Sequence, residues 1–449
     1  MANSRLSRTI SSGSTTNKFT LSFWIKKSAA HTNDEWLFEN YNSGSARTWV
    51  RFNLDTGNPR LEVSEYTGSY IFRKITNRIF RDTSAWYHIH IQFDSTQATD
   101  TDRLKIYING VQETSFAQTN HPAQNATSII ANTGTQYIGY SQNIGGAYFS
   151  GYMSHNAFVQ GSALAPTTFG QTDSTSGIWK FKSPAGVTWG THGFHLKFEN
   201  SAALGTDSSG NTNTFTVNGN LKQALDTPSN VYATMNPLNV PTSNAPTFSF
   251  GNTKTVTAGS SGRFGGTSTL GMSAGKFYVE AKATVAANPR NCIGTTYEPS
   301  EQARNNGTQY SYSDSISYNA ETGDVVNSSG TIYSGSTYTT GDIIQMAIDM
   351  DNNKLYFGKN GTWLNSGVPT SGSTGTGAVS LTANKTQFII QSDNTSGSDQ
   401  STFEFNFGNG FFGITPISSA GSNGNGSLFE YDVPSGYYAL NTKNLNTYG

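Results

Sequence analysis

Apolar and polar residues alternate with a period of two through much of this chain. Phe19, Leu21, Phe23 and Ile25 share one face of a segment in which Thr20, Ser22 and Lys26 take intervening or flanking positions, the pattern of a half-buried strand. Residues 49–54 and 60–63 flank Asp55-Thr56-Gly57-Asn58-Pro59, so turn-forming residues join two extended segments into a hairpin. Tyr87, Ile89, Ile91 and Phe93 alternate with His88, His90 and Gln92, and 104–108 runs into Asn109-Gly110, the strongest short hairpin signal. Residues 193–199, 275–280 and 342–349 read as further strands. Residues 354–357 form another, between a polar turn at 349–353 and a second Asn-Gly turn at Asn360-Gly361. No long amphipathic helix, heptad or short-period repeat breaks the pattern. The prediction is an all-β chain of two antiparallel concanavalin-like or jelly-roll sandwiches in tandem.

Length supports two cores, since 449 residues exceed what one hydrophobic core normally organises. We place the first sandwich at 1–200 and the second at 246–449. Residues 201–245 between them read as a connector rich in Gly, Ser, Asn and Thr and punctuated by Pro228, Pro237 and Pro241, part of it packed along the domains. A hydrophobic fraction of 35% and 47 glycines suit many short strands joined by turns. The formal net charge of -1 gives no broad electrostatic footprint for nucleic acid or an anionic membrane. The single cysteine, Cys292, cannot make an intramolecular disulfide and reads as a buried strand residue. The N-terminal stretch has basic residues but no apolar region of a secretion signal, and no apolar run is long enough to span a bilayer.

FTLSFWIKKS at 19–28, WYHIHIQFDSTQ at 86–97 and DRLKIYINGVQ at 102–112 resemble the laminin G-like or concanavalin A-like jelly rolls common in phages. GKFYVE at 275–280, GDIIQMAIDMDNNKLYFGKNGTW at 341–363 and FNFG at 405–408 resemble a SPRY domain. The segments 207–217, 226–237 and 433–445 look like phage proteins that join these two domains. The resemblance implies a lectin-like structural protein on the surface of a bacteriophage virion, of the tail-fibre or capsid-decoration type. It implies assembly in the host cytoplasm, contacts with other virion proteins, host-surface glycans as ligands, and a homo-oligomer, with a trimer by analogy. With the first strand starting near residue 19 and no coiled-coil or collagen-like stalk after it, a compact head decoration or short tail appendage fits better than a long fibre.

Candidate chemistry is sparse. Glycoside hydrolysis needs two carboxylates across the scissile bond; Glu62 and Glu65 differ in strand parity and Glu404 lacks an acidic partner at strand spacing, so all three read as solvated or edge carboxylates and the chain as no enzyme. His88 and His90 share a face that could offer two metal ligands, but the simpler reading is a polar strand face; His192 and His195 are discounted likewise. Asp94, Asp100 and Asp102 cluster before a strand and offer oxygen ligands suited to calcium, against the alternative of ordinary loop acids. The Gly-rich string at 259–266 fits no nucleotide fingerprint. Sugar recognition needs aromatic faces among amide and hydroxyl groups. Tyr66, Tyr70, Tyr148, Tyr297 and Trp363 are the loop aromatics that could supply them, and each could instead cover core or a subunit contact. The expected function is a virion surface protein with weak glycan binding used in host attachment. A purely architectural subunit is the alternative, and a polysaccharide depolymerase is third.

Overall fold

The computed structural model describes residues 4–28, 33–242, 245–257, 264–286, 291–300, 314–393, 400–421 and 424–449. The chain divides into two compact units, Met1–Gln223 and Ala224–Gly449. Residues 201–245 span the division between the units, and part of this segment packs into each core. Phe215 enters the core of the first unit, whereas Ala233 and Met235 enter that of the second. Among the segment's apolar residues, Leu204, Phe215, Tyr232, Ala233 and Met235 are buried, whereas Val217 and Leu238 are exposed.

Among the described residues the first unit has two main sheets. One has eight strands: β1 (Arg5–Ile10), β3 (Glu35–Ser43), β4 (Ala46–Asn53), β5 (Arg60–Thr67), β6 (Tyr70–Ile79), β10 (Phe116–Asn120), β11 (Gly134–Ile138) and β18 (Thr216–Asn218), in the order β10-β6-β5-β4-β3-β11-β1-β18. The other has six: β2 (Lys18–Lys27), β7 (Trp86–Asp94), β8 (Leu104–Ile108), β9 (Val111–Gln112), β14 (Gly151–Gln160) and β17 (Phe194–Leu196), in the order β17-β14-β2-β7-β8-β9. Two ribbons complete the unit, β12 (Tyr140–Ser141) with β13 (Ala147–Tyr148), and β15 (Gly170–Thr172) with β16 (Trp179–Phe181).

The core lies between the two sheets. Phe19, Leu21, Phe23 and Ile25 of β2 meet Val50, Phe52, Leu61, Val63 and Phe72 there, as the alternation predicts. Phe19 stacks on Phe93 at 4.8 Å between ring centroids, and each such buried side chain contributes about 2–3 kcal/mol. The predicted turns form. Asn109 and Gly110 both take positive φ between β8 and β9, which matches the right-handed twist of the flanking strands.

The second unit repeats the plan. Lys276–Ala286, Ile343–Asp349, Lys354–Lys359 and Ser401–Asn406 pair antiparallel in one sheet, which Tyr438–Ala439 joins in parallel, and Asn291–Thr296, Ser315–Asn319 and Phe388–Asp393 pair antiparallel in the other. Phe277, Val279, Ala281, Ile344, Met346, Ile348, Phe403 and Phe405 fill the space between. Tyr278, Ala347 and Tyr356, on the outer face of the first of these sheets, are covered by Phe429, Val433 and Tyr437 of the C-terminal segment. Cys292 is buried in its strand. Among the described residues no helix is long and apolar enough to cross a membrane.

Candidate functional site

Strand register builds a grid on the outer face of the eight-stranded sheet. Because Val50, Phe52, Leu61 and Val63 point into the core, their neighbours on β4 and β5 must point outward. Pairing then aligns three rows across β3, β4, β5 and β6. Tyr41, Arg47, Tyr66 and Tyr70 form the first row, Glu39, Trp49, Ser64 and Arg73 the second, and Trp36, Arg51, Glu62 and Ile75 the third. Bulges between Trp36 and Phe38, Tyr41 and Ser43, and Glu65 and Tyr66 adjust the alignment.

Each arginine of the grid lies over an aromatic ring. The guanidinium carbon is 4.8 Å from the ring centroid for Arg47 over Trp49, 4.8 Å for Arg51 over Trp36, and 4.9 Å for Arg73 over Tyr70. Tyr66 and Tyr70 meet edge to face at 5.3 Å, and Trp49 is 6.2 Å from Tyr70. Planar guanidinium groups held this way keep a fixed orientation of their N–H forks. Accessibility grades along the grid. Tyr70 is 39% exposed, Tyr41, Arg47, Tyr66 and Arg73 are half-buried, and Trp36 and Trp49 are buried.

Glu62 anchors the third row. Its carboxylate accepts hydrogen bonds from Arg51, Asn53, Ser64 and Arg73 at 2.7–2.9 Å. Burial alone would raise its pKa, but Arg51, Asn53 and Arg73 outweigh that and hold it below the usual carboxylate value. A carboxylate so saturated has no lone pair left for acid–base work. Arg51 also pairs with Asp34. The β12–β13 hairpin covers the Trp36 side of the grid, with Ala147 packed on both tryptophans. It is pinned by Gln142 N–H to Glu39 at 2.6 Å and by Arg47 to Asn143 Oδ1 at 2.8 Å. Burial pushes the Glu39 carboxyl up to about 7. The indole N–H groups of Trp36 and Trp49 are buried without a hydrogen-bond partner among the described residues.

Of the five predicted aromatics, Tyr66 and Tyr70 come together and Tyr148 has other partners in the first unit, while Tyr297 and Trp363 belong to the second unit. Tyr148 sits on β13 and packs on Tyr140 at 4.9 Å, its hydroxyl accepting from Arg5. Trp363 packs on the cluster around Tyr278 and Tyr356. Tyr297 follows the strand Asn291–Thr296, with the Lys385 ammonium 5.0 Å above its ring. The sequence reading missed Tyr41, Arg47, Trp49 and Arg73, although Arg47-Thr48-Trp49-Val50-Arg51 alternates between a charged or aromatic face and a core face.

The carboxylates differ from the sequence expectation, for none of the three is solvated. Glu65 is buried facing inward, where Thr48, Ser128 and the Ile129 N–H donate to it. Burial raises its pKa to about 7. Glu404 is buried beside Lys254 at 3.3 Å.

His88 and His90 are not on an open polar face either. Both are fully buried under the segment that carries β15 and β16. The Trp179 indole N–H donates to His88 Nδ1 at 3.0 Å, so Nε2 carries the proton and faces Ser22 Oγ at 2.8 Å. Trp24 stacks on the same imidazole at 4.7 Å. His90 Nε2 donates to the Leu164 carbonyl at 2.9 Å. Both rings are held neutral, since burial lowers the His88 pKa well below its ordinary value and that of His90 to about 4. Nearby, His195 and His155 approach to 3.4 Å between ring nitrogens.

The three aspartates do not form a calcium cage. Asp94 spends its oxygens on the Thr96 N–H, Thr96 hydroxyl and Gln97 amide and on an ion pair with Lys18 at 3.2 Å, while Asp102 pairs with Lys105 at 2.9 Å. Among the described residues no group of three or more His, Cys, Asp or Glu side chains could hold a metal ion. The expected outcome of chelator treatment is a melting temperature unchanged within about 1 °C by differential scanning fluorimetry, since a ligand at 100 times its Kd would add ~2.7 kcal/mol. A larger drop would mean that these acids gather around a cation in solution. The Gly-rich string is described only over 264–266, where it opens the strand Phe264–Thr267 and leads into no helix; 259–263 lie outside the described residues.

Comparison with known proteins fits this architecture. Residues 5–167 match the concanavalin A-like lectin/glucanases superfamily, and residues 276–390 match the SPRY domain. A comparison with the curated proteins gives no match. Among solved structures, the SPRY domain of human HERC1 is similar at 18% identity over 34% of this chain and 86% of that one, with a TM-score of 0.27. The TRIM65 PSpry domain is similar at 11% identity over 39% and 92%, with a TM-score of 0.29. A heptameric SAP-like pentraxin from Limulus polyphemus is similar at 20% identity over 36% and 72%, with a TM-score of 0.26. The chain therefore carries a concanavalin A-like lectin domain followed by a SPRY domain, two β-sandwich modules that typically bind rather than catalyse.

Proposed function

We propose that this chain is a non-catalytic, glycan-binding component of a bacteriophage particle surface, its lectin-like domain holding saccharide and its SPRY domain contacting other particle proteins. The observation that carries the glycan reading is the accessible row of Tyr41, Arg47, Tyr66 and Tyr70 on the outer face of the first unit. Sugar C–H faces pack on aromatic rings, and the planar Tyr70 ring offers one with little conformational entropy to lose. Around it, Asn42, Ser43, Thr67 and Ser69 supply amides and hydroxyls for sugar hydroxyl groups. Repetition in a homo-oligomer, such as a trimer, turns weak single sites into useful avidity on a host surface. The sequence resemblance of the inter-domain and C-terminal segments supports the particle assignment.

A glycan array probed with the multimerised protein tests the reading. Binding is expected, with Tyr70→Ala losing about tenfold, the scale of one stacked ring. Because Tyr70 is partly exposed and lies outside the core, the same change should cost only about 1 kcal/mol of stability. Silence across the array and across host polysaccharide would overturn the glycan reading in favour of an architectural subunit, which the protein-binding habit of SPRY domains supports. Mass spectrometry of purified particles tests the location, and absence of the chain from them would refute it.

A further inference from the structure

The exposed end of the grid has a charge bias that its composition makes specific. The loops at that end, 42–46, 67–69 and 141–146, contain no Asp or Glu. Arg47 donates to the Gly44 carbonyl and to Asn143, and has no carboxylate in ion-pair contact among the described residues. Arg73 gives its Nε–H to Glu62 and lies over Tyr70 with its remaining N–H groups uncommitted among the described residues. The acids of neighbouring positions are withdrawn. Glu65 points into the core, Glu62 is enclosed, and Glu39 is held beneath the β12–β13 hairpin. Two oriented guanidinium groups thus flank two tyrosines, with no accessible carboxylate among them.

From this geometry we infer that the Arg47–Tyr66–Tyr70–Arg73 end of the face selects a saccharide bearing carboxylate groups, an acidic polysaccharide of the uronate type. The inference rests on the glycan reading above and narrows it. Stacking on Tyr70 accepts any pyranose face, whereas the guanidinium forks match a planar carboxylate with two parallel N–H···O bonds. Four strands spaced about 4.8 Å apart give the row a span of roughly 15 Å, enough for a short oligosaccharide lying across the strands. Glu62 acts as a positioning residue, fixing Arg73 without touching sugar.

Titration calorimetry of the full chain with oligogalacturonate and with its methyl ester, which differ only in charge, separates the two levels. The acid form should bind at least about tenfold more tightly than the ester, and raising NaCl from ~0.05 to ~0.5 M should weaken the acid form alone. Arg47→Gln and Arg73→Gln should each erode the preference, while Tyr70→Ala weakens both ligands; circular dichroism checks that each variant folds. If Arg47→Gln does not fold, the salt dependence of the unaltered chain and Arg73→Gln still decide. Sulfated dextran is the third probe, and binding it in preference to the uronate would overturn the carboxylate assignment. Equal affinity for acid and ester overturns the charge selection but leaves the glycan reading standing. Silence towards all three alongside capture of a neutral glycan on the array also overturns it, and silence everywhere removes both.

Discussion

Glu62→Ala should lower the unfolding free energy of the first unit by about 3–5 kcal/mol, the usual cost of removing one member of a buried ion-pair network. The carboxylate is fully buried and accepts from two arginines, an asparagine and a serine. Its loss leaves Arg51 with Asp34 alone and Arg73 with no anion in contact among the described residues, while both side chains remain 16% exposed or less. Stranding those charges is costlier than losing the carboxylate's own contacts. Glu62→Gln keeps the shape and some hydrogen bonds and should cost less. Urea unfolding followed by tryptophan fluorescence measures both, because Trp36 and Trp49 lie in the affected rows. Glycan binding should fall with stability in Glu62→Ala, since Arg73 loses the bond that orients it. A loss below ~1 kcal/mol would show that the network is solvated and that Glu62 fixes nothing.

The contrast with Tyr70 explains which parts of the molecule were legible in the sequence. Alternation at 19–25 and 87–93, and the Asn-Gly turns at 109–110 and 360–361, depend on neighbours a few residues away, and they emerge as the core strands and hairpins of both units. Tyr66 and Tyr70 were visible as aromatics beside a Gly-Ser turn. Trp49, Arg47 and Arg73 were not, because their outward placement depends on register across four strands and on bulges that shift it. A tryptophan within a strand reads as core until the opposite face is known to be full. The histidines failed for the same reason at longer range. His88 and His90 alternate as a polar face should, yet Leu164 and Trp179, more than 70 residues away, close over them. Cover contributed by a remote segment leaves no periodic mark where it lands.

That cover leads to the second large effect, a dependence of stability on pH that differs in sign between the two units. All 7 histidines precede residue 196, so the second unit has none. Burial lowers the pKa of His90 and His195 to about 4 and of His155 to about 3, and places His88 well below its ordinary value. Between roughly pH 4.5 and 6.5 the unfolded chain protonates these rings while the fold excludes the proton, so stability falls as pH falls. For His88 the reason is geometric, because a second proton would have to sit on Nδ1, where the Trp179 N–H already points. Glu39 and Glu65, raised to about 7 by burial, act oppositely, since the folded unit holds protons that the unfolded chain has released. The four deeply buried histidines against two carboxyls leave a net of two protons favouring the unfolded state, or about 3 kcal/mol per pH unit, and the partly exposed His192, lowered by burial and by Arg8, adds in the same direction. In the second unit Glu280 is the counterpart. Buried beneath the Glu430 and Tyr431 N–H groups, its carboxyl is raised to about 7, so stability there declines as pH rises from 4.5 to 7. Hydrogen exchange resolved by peptide and corrected for intrinsic rates reads both units in one sample. Protection across β7 should drop on acidification from ~6.5 to ~4.5, while protection across Lys276–Ala286 holds or rises. His90→Gln should flatten the first profile and leave the second unchanged. Parallel profiles in the two units would mean that the imidazoles titrate freely and that the segment over them opens to water.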